Sequence, residues 1–279
     1  MQRKPYPYFD RISVLTATIL LAYVVARYID LPERSIEVDV FGFLLTAQFN
    51  VNTLVAILVA GLSATGADWL IRGHPARRGA QTLSHWVLPG LTAWTLGLTL
   101  NLLPVSGLLW WVVLAIGAGL LIMVLVAEYT VVDPVSEQFN IAALGLTVLS
   151  FALYLVLVTN LKAQDVRLVF LLPAAFFTTV LISMRTIYLR LFRQGLAMVD
   201  NVTTALLAAI VIGIVVAQFV GALHYAPISP VGFGLILLGP AYALTNLISS
   251  LTEGVQMQRV WVEPAILCVA IWGLAIWFR

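Results

Sequence analysis

Asp68, Glu128, Asp200, Glu253 and Glu263 stand at the ends of long apolar runs. Carboxylates in such places can bind a metal, act as a general base or hold a lipid headgroup, and desolvation makes any ionisable group near lipid a functional candidate. Asp68, Glu128 and Glu263 are the candidate catalytic set. Asp68 and Glu263 each fall about one turn inside an expected helix, and Asp68 is spaced i,i+4 from Arg72 so that the two can pair on one face. A second group follows directly in Arg72-Gly73-His74-Pro75-Ala76-Arg77-Arg78, with His85 further on. The guanidinium forks of Arg72, Arg77 and Arg78 match phosphate oxygens and are the candidate phosphate or headgroup ligands. Together the two groups describe an enzyme working on a lipid or a lipid-linked phosphate. A ring of interfacial charges that satisfy one another and touch anionic headgroups is the favoured reading of both.

A third set, Arg185, Arg190 and Arg193 around Tyr188 and Phe192, reads as an amphipathic extension of a helix anchored along a membrane surface. A fourth is uncharged. Pro173 and Pro240 interrupt two apolar runs, and Thr178, Thr179, Tyr242, Thr245 and Asn246 follow them closely. Proline removes a backbone donor, and broken helices at matching positions point to carrier binding sites, so these five are the candidate substrate pocket. The alternative is ordinary packing with the freed backbone groups re-satisfied. Pro-Ala followed by Thr and Ser recurs at one spacing, in Pro173, Ala174, Thr178, Ser183 and in Pro240, Ala241, Thr245, Ser250.

Other chemistries lack their residues. The chain carries no paired-histidine metal motif, phosphate-binding glycine loop or Gly-x-Ser-x-Gly elbow. Cys268 is the single cysteine. No metal site and no cofactor is expected, apart from bound lipid. A net charge of +2 provides no basic face for nucleic acid.

The elements that carry these residues follow from composition. The 279 residues are 61% apolar and 10% charged, where a soluble domain carries about 25% charge. Nine apolar segments are expected at 11–29, 51–71, 86–103, 108–128, 141–161, 167–187, 202–223, 229–250 and 260–278, none with an ionisable residue at its middle. Runs of this length match the ~30 Å hydrocarbon core, where the backbone must satisfy itself as helix. The first segment follows Arg3, Lys4 and Arg11 but is too long for a signal core, and is read as a retained helix. Pro104-Val105-Ser106-Gly107 joins the third and fourth segments as a hairpin. Ten of the fifteen Lys and Arg residues fall on one side if the N-terminus is cytoplasmic, which puts the C-terminus opposite. Ser35-Ile36-Glu37-Val38-Asp39-Val40 alternates as a strand does, and a turn at Phe41-Gly42 would pair Val40 with Phe43, Val38 with Leu45 and Ile36 with Ala47.

The expected fold class is therefore an all-α polytopic membrane protein, a bundle of about nine transmembrane helices in a single domain, 1–279, with a short β-hairpin (33–50) in the first outer loop. Absent catalytic signatures and eight tryptophans suited to interfaces and contact surfaces favour a non-enzyme. Such a protein is a subunit, scaffold or assembly partner in a cell membrane, whose partners are membrane lipids and another protein or a second copy. The alternatives are a carrier or flippase for a neutral or amphipathic substrate, and the interfacial lipid enzyme.

Overall fold

The computed structural model of the protein describes residues 9–29, 34–40, 43–49, 51–76, 83–104, 107–193 and 199–278. Helices occupy all nine apolar segments: α1 (Phe9–Arg27), α2 (Val51–Arg72), α3 (Val87–Asn101), α4 (Leu108–Thr130), α5 (Phe139–Ala163), α6 (Leu168–Arg193), α7 (Val199–Leu223), α8 (Pro230–Thr252) and α10 (Val262–Trp277), with the one-turn α9 (Met257–Val260) before the last. Seven of them, all but α3, α9 and α10, are long and apolar enough to cross a membrane, and the chain is a multi-pass helical membrane protein by that measure. α3 and α10 have 15 and 16 residues, about 22–24 Å of helix at 1.5 Å per residue. That is short of a ~30 Å hydrocarbon core, so length alone does not make either a span. Between α1 and α2, strands β1 (Arg34–Val40) and β2 (Phe43–Phe49) pair antiparallel, with Val40 opposite Phe43 and Ile36 opposite Ala47. The turn residues Phe41 and Gly42, and the strand side chains that would make the expected apolar face, lie outside the described residues.

The chain divides into two compact units, 1–132 and 133–279. In the first, α2 packs on α1 and α3, and α4 closes on α1 and α3. Ile12, Leu15, Ile19, Leu70, Leu96, Leu121 and Leu125 form its core, together with Trp110 and Tyr129. Glycine lets the backbones approach: a Cβ at Gly97 would lie 2.7 Å from the Ala56 Cβ and 2.9 Å from the Tyr23 ring. Polar groups act between helices as well. The Tyr23 hydroxyl donates to the Ala93 carbonyl at 2.6 Å, and Ser63 Oγ donates to the Pro89 carbonyl at 2.9 Å. Pro89 lies in the first turn of α3, where its missing N–H costs no helical bond. Tyr23, Arg27, Asn52, Asn101 and Trp110 line one small pocket. This gathers the last turns of α1 and α3 with the first turns of α2 and α4. The ends of α2 and α4 meet at the opposite pole through His74 and Tyr129, ring centroids 4.4 Å apart. Short as it is, α3 carries the chain from one pole of this unit to the other.

In the second unit α8 is central, packing on α5, α6, α7 and α10. Its ends are written in the sequence. Ser229 Oγ accepts from the Gly232 N–H at 3.1 Å, with Pro230 at the first helical position. Glycine at 254, φ +81°, lets the Gly254 and Val255 N–H groups bond back to Leu251 and Ser250 at 3.0 and 3.2 Å. Small residues face its neighbours: Gly234 meets Leu155 and Thr159 of α5, and Gly239 meets Trp272 and Cys268 of α10. α6 and α8 both run through their prolines as continuous helices, so neither is broken as the carrier reading expects. Pro240 deprives the Ile236 carbonyl of its i+4 donor, and the Trp272 indole N–H supplies the replacement at 3.1 Å. Ser229 Oγ also donates to the Phe278 carbonyl, so α10 runs antiparallel along α8 to its start.

Candidate functional site

At the α2–α4 pole of the first unit the rim residues come together in pairs. Asp68, nearly buried, accepts from Arg72 one turn on at 2.6 Å, while the Arg72 side chain stays largely exposed. The carboxylate and the cation thus pair on one helix face through Oδ2 of Asp68, and Arg72 also suits the negative end of α2. Glu128 is 1% exposed, and its Oε2 lies 2.6 Å from His85 Nδ1. At that distance one proton must sit between the two atoms, either on the imidazole or on the carboxyl group. His85 is delivered by a one-turn 3-10 helix, Leu83–His85, that ends where α3 begins. His74 is buried, its Nδ1 accepts from the Ala76 N–H at 3.1 Å, and its ring meets Tyr129. Arg11 adds a donor to the Trp69 carbonyl at 3.4 Å and lies 4.7 Å from the Trp69 ring centroid. The chemistry of this pole is therefore pairing: Asp68 and Glu128 each have a basic partner. The His85–Glu128 pair joins residues 43 positions apart, which no helical spacing signals.

Other rim residues fall elsewhere. Glu263 is exposed in the first turn of α10, where a carboxylate complements the helix dipole, rather than a turn inside its helix. Glu253 caps the end of α8 and is half-buried. Arg77 and Arg78 lie outside the described residues, as do the side chains of Arg193, Asp200 and Arg259. No group of three or more His, Cys, Asp or Glu positioned for a metal occurs among the described residues.

The second unit contains a cleft of about 340 Å³ between α5, α6 and α8. Its walls are single helical faces. Leu144, Thr147, Val148 and Phe151 of α5 recur at i, i+3, i+4 and i+7, Thr186 and Arg190 of α6 are one turn apart, and Leu238, Tyr242, Thr245 and Asn246 share a stripe of α8. Tyr242, Thr245 and Asn246 belong to the expected polar pocket. Thr178 and Thr179 do not line the cleft. They are buried, donating to their own helix at Ala174 and Ala175 (2.7 Å each), with Thr179 also 3.2 Å from the Tyr154 hydroxyl. Thr147, Thr186 and Thr245 likewise spend their protons on carbonyls one turn back. Ser183 and Thr245 hydroxyls meet at 2.8 Å, and Arg190 reaches Asn246 Oδ1 at 2.5 Å and Ser250 Oγ at 3.5 Å. Partner numbers rise together on both helices, so α6 and α8 run parallel here.

The arginine segment is not the surface anchor its composition suggests. α6 extends unbroken to Arg193, and Arg185, Tyr188, Leu189 and Leu191 within it are buried, Arg185 to 1% exposure. The signal available was the interval from Arg185 to Arg190. At 100° per residue these two cannot share a face with all the apolar residues between them.

At the α5–α6 corner, the Lys162 ammonium donates to the His224 carbonyl at 2.6 Å. Burial, then the charge of Lys162, hold the His224 imidazole below its usual pKa, with Asp165 acting the other way.

Neither the curated proteins nor the solved structures contain a match to this chain. One family model covers residues 31–278, from the strand pair to the end of α10, and its description reads "Protein of unknown function (DUF5656)". With most of its length matched in this way, the chain belongs to the DUF5656 family.

Proposed function

We propose that the protein is a non-catalytic component of a cell membrane that holds a lipid-type amphiphile in the cleft between α5, α6 and α8. The cleft carries this reading. Its volume of about 340 Å³ falls within the ~300–1,000 Å³ of small-molecule sites. Leu144, Val148, Phe151 and Leu238 make an apolar wall for a chain, and Tyr242, Asn246 and Arg190 make a polar end for a headgroup. Leu144 and Val148 are largely exposed on the outer face of α5, which gives a chain sideways entry from the bilayer. The membrane setting of the proposal is nine crossings, with α3 and α10 included because each runs pole to pole beside a longer helix. The bias of Lys and Arg places the N-terminus in the cytoplasm and the C-terminus opposite. Service as a subunit or assembly partner is the corresponding cellular role, with the bound lipid as part of the fold.

The carrier reading needs the cleft to open alternately to both sides. Continuous α6 and α8, tied by Ser183 and Thr245 at 2.8 Å, favour a held ligand over a passing one. The enzyme reading needs a carboxylate free to act, and the Arg72 and His85 pairings of Asp68 and Glu128 argue against it.

Native mass spectrometry of protein purified in mild detergent tests the proposal. The expected result is about one retained lipid per chain, lost when the cleft is filled by Leu238→Trp or, from the α5 side, by Ala152→Trp. A chain that carries no lipid, or one whose lipid both substitutions leave in place, overturns it.

A further inference from the structure

We propose that the headgroup held in this cleft is anionic, a phosphate-type oxyanion of a membrane lipid gripped by Arg190. The inference rests on the lipid reading above and names the chemistry of its polar end. Arg190 lies in the last turn of α6 and lines the cleft. Among the described residues its guanidinium bonds neutral oxygens, Asn246 Oδ1 at 2.5 Å and Ser250 Oγ at 3.5 Å, the second at the outer limit of a hydrogen bond. No carboxylate among the described residues pairs with it. The C-terminal carbonyls of α6 offset part of the charge, equivalent to about half a unit, and the rest has no counter-ion among the described residues. An arginine side chain has five N–H donors in a planar fork, so most remain available. A cation at the edge of a hydrocarbon phase without an anion is costly, and an arriving oxyanion recovers that cost while accepting two parallel bonds.

The rest of the site agrees. Thr186 and Thr245, which line the cleft with Arg190, already donate to Ile182 and Ala241. Their protons are spent on backbone carbonyls, which leaves Arg190 as the charged donor among the residues lining the cleft. Asn246, which lines the same cleft, gives its carbonyl oxygen to Arg190, so its amide N–H₂ is not spent on that contact. Phe151 and Tyr242, ring centroids 5.1 Å apart and edge to face, form the floor that a chain attached to this headgroup would lie on.

The test compares phosphatidylglycerol with diacylglycerol of the same chain length, which lacks the phosphate, titrated onto delipidated protein and read by native mass spectrometry. Wild type is expected to retain phosphatidylglycerol about tenfold more tightly, the scale of a charge-assisted hydrogen bond. Arg190→Gln should bring it to the diacylglycerol level while leaving diacylglycerol binding unchanged, and Arg190→Lys, which keeps charge but not the fork, should fall between. Equal retention of the two lipids by wild type, or an anionic preference that survives in Arg190→Gln, overturns the headgroup assignment but leaves the lipid reading standing. Loss of both lipids is the result expected only of the cleft-filling variants. If Arg190→Gln does not fold, the intermediate position of Arg190→Lys decides. Displacement of phosphatidylglycerol by millimolar inorganic phosphate alone would overturn the lipid source in favour of a free anion.

Discussion

Trp272→Phe should destabilise the protein by about 1 kcal/mol, and Pro240→Ala should abolish most of that effect. The indole N–H donates at 3.1 Å to the Ile236 carbonyl, whose helical donor is missing because residue 240 is proline. In hydrocarbon no water replaces the lost partner. An unsatisfied buried group costs about 1–3 kcal/mol in general, whereas polar contacts between membrane helices average about 0.6 and reach about 1.7 kcal/mol. A value near 1 follows. Some loss of packing against Phe219, ring centroids 6.1 Å from Trp272, adds to it. With alanine at 240 the backbone N–H returns to Ile236, the indole bond becomes redundant, and only the packing loss remains. The double mutant should thus be more stable than the sum of the singles by roughly 1 kcal/mol. Gly239→Ala is an independent route to the same contact, since its Cβ would lie 2.8 Å from Trp272 Nε1 and 3.0 Å from Cδ1 and must push the ring away. Reversible unfolding in mixed micelles, followed by the fluorescence of the other tryptophans, measures the cycle. Additivity within about 0.3 kcal/mol would refute the claim that Trp272 serves the carbonyl freed by Pro240.

Gly97→Ala should cost about 1–3 kcal/mol through overpacking, since backbone-anchored Ala56 and the Tyr23 ring crowd its Cβ, while Gly119→Ala, with nothing within 4 Å, should change apparent melting little. His85→Ala should cost about 3 kcal/mol by leaving Glu128 without its 2.6 Å partner in a buried position; Glu128→Gln, which keeps an acceptor, should cost about 1 kcal/mol, and equal losses in the same unfolding assay would contradict the pairing. For His224 the imidazole pKa is depressed in the fold, so its contribution is present above the unfolded value of about 6.5 and is lost as pH falls through the lower folded value. Apparent melting temperature should decline with acid below about pH 6.5, and His224→Gln should flatten that limb; an unchanged acid limb would refute the assignment.

Much of the architecture was legible in one dimension. Runs of about 20 apolar residues in a chain with 10% charge leave helix as the only way to satisfy a backbone in lipid, and all nine segments are helical. The ends of α8 have local causes that the span 229–250 did not name, Ser229-Pro230 at its start and Gly254 after its end. Candidate site residues were legible in type but not in company. Tyr242, Thr245 and Asn246 share a stripe of α8, so their grouping follows from helical period. Thr178 and Thr179 looked the same by composition, yet their hydroxyls are committed to α6 itself. Helix rotation decided between them, and in helices apolar all round no hydrophobic stripe tells which face points inward.

The sequence by itself determined the solvent, the helices and the kind of atom available at each pole, because these depend on residues close in the chain. Tertiary structure alone decided where the unpaired chemistry lies. Of the acidic rim, Asp68 and Glu128 became paired groups, the second because His85 met it across 43 positions. Pro240, read as a break, became a continuous helix because a tryptophan 36 residues from the orphaned carbonyl supplied its bond. Arg190, read as an anchor, became a cation facing a cleft with no carboxylate beside it among the described residues. Each outcome depends on which face one helix turns to another, and that is set by side-chain packing between segments distant in sequence.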